Sequence, residues 1–222
     1  MNKLIIPSKT ERLIQKNDFF LTRSHDFVEI GGVKWATCNI GAKCPTDIGL
    51  YFQWGDTKGY TAEQAIKGEH QFTLEGYKFA ANTNIINDVT KYNLTDNKMA
   101  LEPSDDAAKA NWGGAWRMPT IKDFENLKNA TDFEWIRNHK ESGINGMLFI
   151  DKKDSSKKLF FPACGFLRDK YRLGLDNDAT YWSSSMTTDH WSVFTCILRA
   201  KTSYFSGVDS RFHGFQIRPI LG

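Results

Sequence analysis

Side chains able to do acid–base, nucleophilic or metal chemistry are few in this chain and do not gather into a recognisable constellation. Its five histidines are His25, His70, His139, His190 and His213. They show neither H-x-x-x-H nor H-E-x-x-H spacing, the arrangements that turn two imidazoles toward one metal from a helix. Ser183-Ser184-Ser185 lacks the G-x-S-x-G context in which a strained turn exposes a nucleophilic hydroxyl. The four cysteines contain no C-x-x-C pair of the zinc or redox kind. Cys38 and Cys44 are near enough in sequence to pair, whereas Cys164 and Cys196 sit in separate apolar surroundings. The rarity of disulfides in reducing compartments favours thiols. Asp176-Asn177-Asp178 offers a local set of oxygens, a composition that more commonly makes a solvated turn. No catalytic residue, metal or cofactor is expected from these patterns.

The rest of the chain has to be read as what positions its side chains. With 222 residues, it is long enough for one large domain, or one domain and a short appendage. Hydrophobic residues at 41% and charged residues at 25% are the ordinary globular mixture. Lys+Arg 29 against Asp+Glu 26 leaves a net charge of +3, too little to argue for nucleic acid or an anionic membrane as partner. The N-terminal Leu4-Ile5-Ile6 is cut short by Pro7 and followed by Lys9, Glu11 and Arg12, so no secretory h-region is expected. No stretch approaches the roughly 20 apolar residues of a spanning helix. The expectation is a chain made in the cytoplasm, without membrane insertion, that stays there or leaves as part of a larger particle. Aromatics reach 14%, with 16 Phe, 7 Trp and 7 Tyr, which means a core built on rings or a surface that uses them as anchors.

Residues 1–26 read as an appendage, with a short helix over 9–16 and Phe19, Phe20 and Leu21 as apolar side chains to dock. From Phe27 the texture changes. Residues 27–36 predict a hairpin about Gly31-Gly32, and 51–56 another strand-like piece. The polar stretch 57–101 predicts extended loop with short elements. Two helices are signalled: one over 104–112 with Ser104 as N-cap and Gly113-Gly114 as stop, one starting at the capping-box-like Thr120-Ile121-Lys122-Asp123. Strands are predicted at 147–150, 159–163, 180–183, 191–198 and 215–220. The sum is a compact α+β domain over 27–222, with two short helices, short antiparallel strands and long loops.

Five segments in order resemble one family. They are Trp35-Ala-Thr-Cys-Asn-Ile-Gly41, Tyr51-Phe-Gln-Trp-Gly-Asp-Thr57, Asp106-Ala-Ala with Asn111-Trp-Gly-Gly-Ala-Trp-Arg-Met-Pro-Thr120, Phe161-Pro-Ala-Cys-Gly165, and Tyr181-Trp-Ser-Ser-Ser185 with Gly214-Phe-Gln-Ile-Arg-Pro219. Together they resemble the Fibrobacter major paralogous domain family, common in Bacteroidetes and their phages. That family is similar to C-type lectin-like domains of the formylglycine-generating-enzyme type. The same scaffold serves the variable proteins of diversity-generating retroelements, among them phage tropism determinants and cell-surface proteins. The resemblance implies a C-type lectin-like fold and ligand binding rather than catalysis. Trp112, Trp116 and Trp182 beside glycines and serines then read as scaffold. Arg117 and Arg218, set inside apolar motifs, are expected to hold carbonyls or a carboxylate such as Asp106 or Asp123. Formylglycine-generating relatives use a cysteine pair; Cys164 and Cys196 match no such motif. Calcium-dependent lectins of the broader fold use Glu-Pro-Asn or Gln-Pro-Asp triplets, whereas Glu102-Pro103 is followed by Ser104.

The stretch 187–213 is read as the binding face. Alternation predicts Ser192, Phe194, Cys196 and Leu198 on one side of a strand, and Trp191, Val193, Thr195 and Ile197 on the other. Beyond it, 202–213 mixes Tyr204, Phe205, Phe212 and His213 with Ser, Thr and Asp on what reads as irregular backbone, a paratope-like composition. In retroelement variable proteins, mutagenesis at template adenines targets Asn-type codons, which cannot become Lys, Trp, Met or Gln. That resemblance implies fixed positions at Met186, Trp191, Lys201 and Gln216. It implies variable ones at Thr188, Asp189, His190, Ser192, Phe194, Cys196, Tyr204, Ser206, Val208, Ser210, Phe212 and His213. The expected partner is a protein or glycan receptor on a target cell. The expected location is a virion, with residues 1–26 as an attachment or oligomerisation arm. The alternatives are an attachment module without diversified binding and, more distantly, a formylglycine-generating-type oxidase.

Overall fold

A computed structural model describes residues 25–85, 88–137, 139 and 143–222. The helix expected over 9–16 and the apolar Phe19, Phe20 and Leu21 lie outside the described residues. The described part is α+β and mostly sheet: short antiparallel strands in open sheets, with three helices.

Strands β1 (Phe27–Ile30) and β2 (Val33–Ala36) form the expected hairpin. Gly31 and Gly32 have φ of 59° and 78°, the left-handed pair that a tight two-residue turn requires. Helix α1 (Ala62–Ile66) is an addition to the two helices expected, opened by a capping box between Thr61 and Gln64. Helix α2 (Ala107–Trp112) begins later than expected, because Asp106 rather than Ser104 is its N-cap. The Asp106 carboxylate accepts from the amides of Ala108 and Lys109 and, from outside the helix, from that of Met118 at 2.8 Å. One side chain thus caps α2 and ties it to the Trp-Arg-Met-Pro-Thr segment. After β3 (Trp116–Arg117), α3 (Ile121–Ala130) starts at the Thr120–Asp123 capping box as expected.

The remaining strands are β4 (Thr131–Ile136), β5 (Gly146–Asp151), β6 (Lys158–Pro162), β7 (Phe166–Arg168), β8 (Tyr171–Leu173), β9 (Ala179–Met186), β10 (Val193–Leu198), β11 (Tyr204–Asp209) and β12 (Ile220–Leu221). They pair in the orders β1-β2-β12-β3, β4-β5-β6, β7-β8 and β11-β10-β9. The strand expected over 215–220 is reduced to β12, and the piece at 51–56 makes isolated bridges only.

Strand β9 is the central wall. Tyr181 and Ala179 enter a core with Trp35, Phe124, Phe149 and Phe161, while Trp182 and Met186 enter a second core with Phe52, Trp54, Tyr92 and Phe215. The ring-built core expected from composition is therefore divided: two clusters meet at β9, and a third gathers Tyr51, Phe72 and Leu167. Two indole N–H groups are satisfied across β9: Trp182 donates to the Phe52 carbonyl at 2.7 Å and Trp54 to that of Ser183 at 2.8 Å.

The Ser triplet completes the wall. Ser183 Oγ donates to the Phe194 carbonyl, and Ser185 Oγ accepts from the first amide of α3. Arg218 is wholly buried and bonds the Asn39 side chain at 2.9 Å and the carbonyls of Ala36, Thr37 and Phe160. Its guanidinium also lies over the Phe161 ring. Arg117 bonds Asp123 at 2.9 Å and the carbonyls of Met118 and Gly222. Both arginines hold carbonyls, and Arg117 holds a carboxylate as well.

Candidate functional site

Hairpin β10–β11 is the outer part of the β11-β10-β9 sheet, and no described strand pairs with the outer edge of β11. Its segment was expected to be irregular, yet 204–209 is a strand. The register sets Phe194 opposite Val208 and Ile197 opposite Tyr204. Simple alternation along β10 does not hold. Register breaks between Val193 and Thr195 on one side and between Thr195 and Ile197 on the other shift its phase. Val193 and Thr195 therefore point inward at the start, and Cys196 and Leu198 inward at the end.

The resulting outer face holds Tyr204 and Val208, each 51% exposed, with Ser206 exposed and Phe194 half-buried. Ile197 lies across Gly207, where an added Cβ would come 2.9 Å from its Cδ1. The inner face is fixed by Phe205, buried with its ring 5.4 Å from Phe133 and 6.0 Å from Phe149.

Beside the hairpin, loop 187–192 is held by its own side chains. The Asp189 carboxylate accepts from the Trp191 amide at 2.9 Å and lies 2.6 Å from Thr187 Oγ1. The Thr187 hydroxyl and that amide hold its carboxyl below the usual range. Thr188, Asp189 and Trp191 are exposed and Ser192 is half-buried, while His190 is buried with a left-handed φ of 58°. On the far side of β11, Asp209 Oδ1 pairs with His213 Nδ1 at 2.6 Å and accepts from the Ser210 amide. His213 is buried against Phe212, which is itself half-buried.

The twelve expected positions therefore divide. Thr188, Asp189, Tyr204, Ser206 and Val208 face solvent; Ser192, Phe194, Ser210 and Phe212 are partly covered; His190, Cys196 and His213 are inside. Cys196 sits in the core between β9 and β11, so it cannot belong to a surface patch in this conformation. Trp191, expected as a fixed position, is the most exposed ring of the region at 59%.

Arg211 was not anticipated and organises the whole area. It is buried, donates to the Tyr92 carbonyl at 3.2 Å, and also bonds the carbonyl of His190. It thereby fixes loop 187–192 against the loop over 88–98. Nothing in its local sequence marks an arginine as buried.

Other hollows have other makers. One, about 600 Å³, lies between the Gly31-Gly32 turn, the end of α3 and the loop after β5. Its Asp151 carboxylate is spent on the Lys153 and Asp154 amides, and its Lys152 ammonium on the Asn129 carbonyl. A second, about 440 Å³, follows the motif residues Trp116, Arg117, Met118 and Thr120 to Gly222. Among the described residues no group of three His, Cys, Asp or Glu side chains gathers to hold a metal, and no helix is long and apolar enough to cross a membrane. Burial pushes the Cys164 thiol up to about 12 and raises that of Cys196 well above its ordinary value. No disulfide joins the four cysteines. Comparison with family models, with curated proteins and with solved structures found no match.

Proposed function

We propose that the chain is a non-enzymatic recognition protein on a C-type lectin-like scaffold. In this reading it is a retroelement-diversified variable protein, presenting hairpin β10–β11 and loop 187–192 to a protein or glycan receptor on a target cell. One observation carries the reading: within a single hairpin, Phe205 and Cys196 anchor the inner side while Phe194, Tyr204, Ser206 and Val208 share an outer face at an unpaired sheet edge. Such a face can change side chains without disturbing what holds it. Aromatic groups on a rigid frame also supply contact area at low ordering cost.

The buried cysteines argue on the same side. An oxidase needs a thiolate, and burial of Cys164 and Cys196 favours the protonated form. Carriage on a phage tail or other particle through residues 1–26 belongs to the same reading, since several copies turn weak contacts into avidity.

The test is a triple variant, Phe194→Ala with Tyr204→Ala and Val208→Ala, measured by binding of labelled protein to a panel of Bacteroidetes strains. Loss of binding with an unchanged melting temperature supports recognition. Loss of folding favours the attachment module whose edge only completes the domain. A reverse transcriptase beside the gene, with a near-repeat of its 3′ end differing at adenines, supports diversification; a locus with neither removes that part.

A further inference from the structure

Where the described residues begin, the chain lies against a wall of the hollow that follows the Trp-Arg-Met-Pro-Thr motif. The Asp26 carbonyl accepts from the Thr37 amide at 2.9 Å, which pins the entry to β1. One residue earlier, the His25 ring stands 4.5 Å from Trp112 and 6.1 Å from Trp116, two indoles that meet edge to face at 4.9 Å. Trp116 also lines the hollow, so the chain upstream of His25 starts beside it.

The hollow, about 440 Å³, is of the size that takes a drug-sized apolar group, and so has room for more than one side chain. Ala100, Leu101, Pro103, Ala115 and Trp116 give it an apolar lining. Its charged side chains are already engaged. The Asp106 carboxylate accepts from the amides of Ala108, Lys109 and Met118. Lys109 Nζ donates to the Gly114 carbonyl, and Arg117 holds Asp123. These three leave no free counter-charge for an ionic ligand, and what remains to be matched is apolar area.

The sequence just upstream supplies such area at the right distance. Phe19-Phe20-Leu21 is an apolar triplet between the polar runs Lys16-Asn17-Asp18 and Thr22-Arg23-Ser24. It precedes His25 by four to six residues. At no more than about 3.6 Å a residue, it reaches no further than about 14–22 Å from His25. A tether this short holds the triplet at an effective concentration of about millimolar. A second copy would have to supply its own triplet against that advantage. Three large apolar side chains in sequence also form a patch that a chain in water tends to cover.

We propose that Phe19, Phe20 and Leu21 dock in this hollow on their own chain, beside Trp116. The triplet is then the root of the arm, and residues 1–18 are the part left to reach a particle. The inference does not rest on the recognition reading, since neither hairpin β10–β11 nor loop 187–192 lines the hollow.

The experiment uses the full chain, labelled at the methyl groups of alanine, leucine and valine. Its methyl NMR spectrum is compared with that of the triple variant Phe19→Ser with Phe20→Ser and Leu21→Ser. Loss of two ring currents is expected to shift the signals of Ala100, Leu101 and Ala115, while Val208 on the hairpin keeps its position. If those three signals stay where they are, the proposal is overturned. Phe19→Leu with Phe20→Leu keeps apolar cover and removes the same ring currents, so it gives the same reading if the triple variant fails to fold. An equal mixture of the labelled variant with unlabelled, unsubstituted chain then tells whose triplet docks. The variant's signals are expected to stay shifted. Their return to the original positions would assign the hollow to a second copy's arm and overturn docking on the same chain. Cell binding by the hairpin is read separately, so either result leaves the recognition reading standing.

Discussion

Strands β9 and β11 belong to one three-stranded sheet, yet they live under opposite constraints. Along β9, every residue but Ser185 is buried, because its two faces serve two different cores. Along β11, Phe205 alone is buried, and Tyr204, Ser206 and Val208 are exposed. A strand packed on both faces offers no site where a side chain can change without moving another, since interiors are packed at crystal-like density. A strand at an edge offers every second position. The lesson is that tolerance here is set by where a strand lies in the sheet. Residue type alone does not reveal it: Ser183 and Ser185 of β9 are fixed by their hydrogen bonds, and Ser206 of β11 is fixed by none that the structure shows.

The largest expected effect lies on the constrained side. Arg218 satisfies four acceptors from two segments distant in sequence, 36–39 and Phe160. Arg218→Ala leaves them buried and unpaired and opens a cavity, so a loss of at least about 3 kcal/mol is expected. Urea denaturation measures it. Lysine at the same position should not rescue, because one ammonium cannot reach acceptors that a planar fork spans. A variant of near-normal stability would show that the two cores hold together without this tie.

An intermediate effect is expected at the start of α3, and it depends on pH. Burial raises the Asp123 carboxyl, but bonds from the Arg117 guanidinium and from the Thr120 hydroxyl and amide outweigh it and hold the group below its ordinary 3.8. Burial likewise raises Asp105, and Lys91, Tyr92 and Lys78 outweigh it. A carboxylate depressed in the folded state adds stability that is fully present above the unfolded value and lost as pH falls through the folded one. Asp106 runs the other way, because burial outweighs its backbone bonds and raises it. Its folded form takes up a proton earlier and offsets part of the loss. Asp123→Asn should therefore cost about 1–2 kcal/mol at neutral pH, the worth of a cap with a half-exposed ion pair. The cost should shrink in melting curves taken at successively lower pH beneath 3.8, as the folded-state carboxyl takes up its proton. A pH-independent difference would mean that packing rather than charge makes Asp123 matter.

How much of this was legible in the sequence follows the same division. The first hairpin, the α3 capping box and the tying roles of Arg117 and Arg218 could be read, because Gly-Gly turns, Thr-x-x-Asp starts and arginines inside apolar motifs carry local signals. Helix α1 was hidden because its five residues are too few to show periodicity. Asp106 displaced Ser104 as a cap because it also serves the Met118 amide, a contact far in sequence. Strand β11 was missed because Gly207 and alternating polar residues look like loop until a partner strand is known. The phase shift in β10 moved Cys196 from the expected surface into the core, since a bulge leaves no mark in composition. The burial of Arg211 is a product of tertiary placement and has no sequence signal at all.

The smallest expected effect tests the comparison most directly, because it asks for a difference between neighbours on one strand. Tyr204→Ser and Val208→Thr alter exposed side chains whose removal uncovers little surface, so each should change stability by no more than about 0.5 kcal/mol. Phe205→Ser, between them, removes a ring packed against Phe133 and Phe149 and places a hydroxyl in the core, and should cost about 3–5 kcal/mol. Gly207→Ser lies between the extremes. Its Cβ would meet the Ile197 side chain at 2.9 Å, a flexible neighbour that can turn aside, and Gly207 is not among the glycines held at positive φ. Five chemical denaturation curves at one pH, the unsubstituted chain's among them, are enough. If Tyr204→Ser or Val208→Thr proves as costly as Phe205→Ser, β11 is a packed strand like β9, and its outer face is no place for side chains to vary. If all three lie within the small range, Phe205 is not the anchor and the hairpin is held by its strand pairing alone.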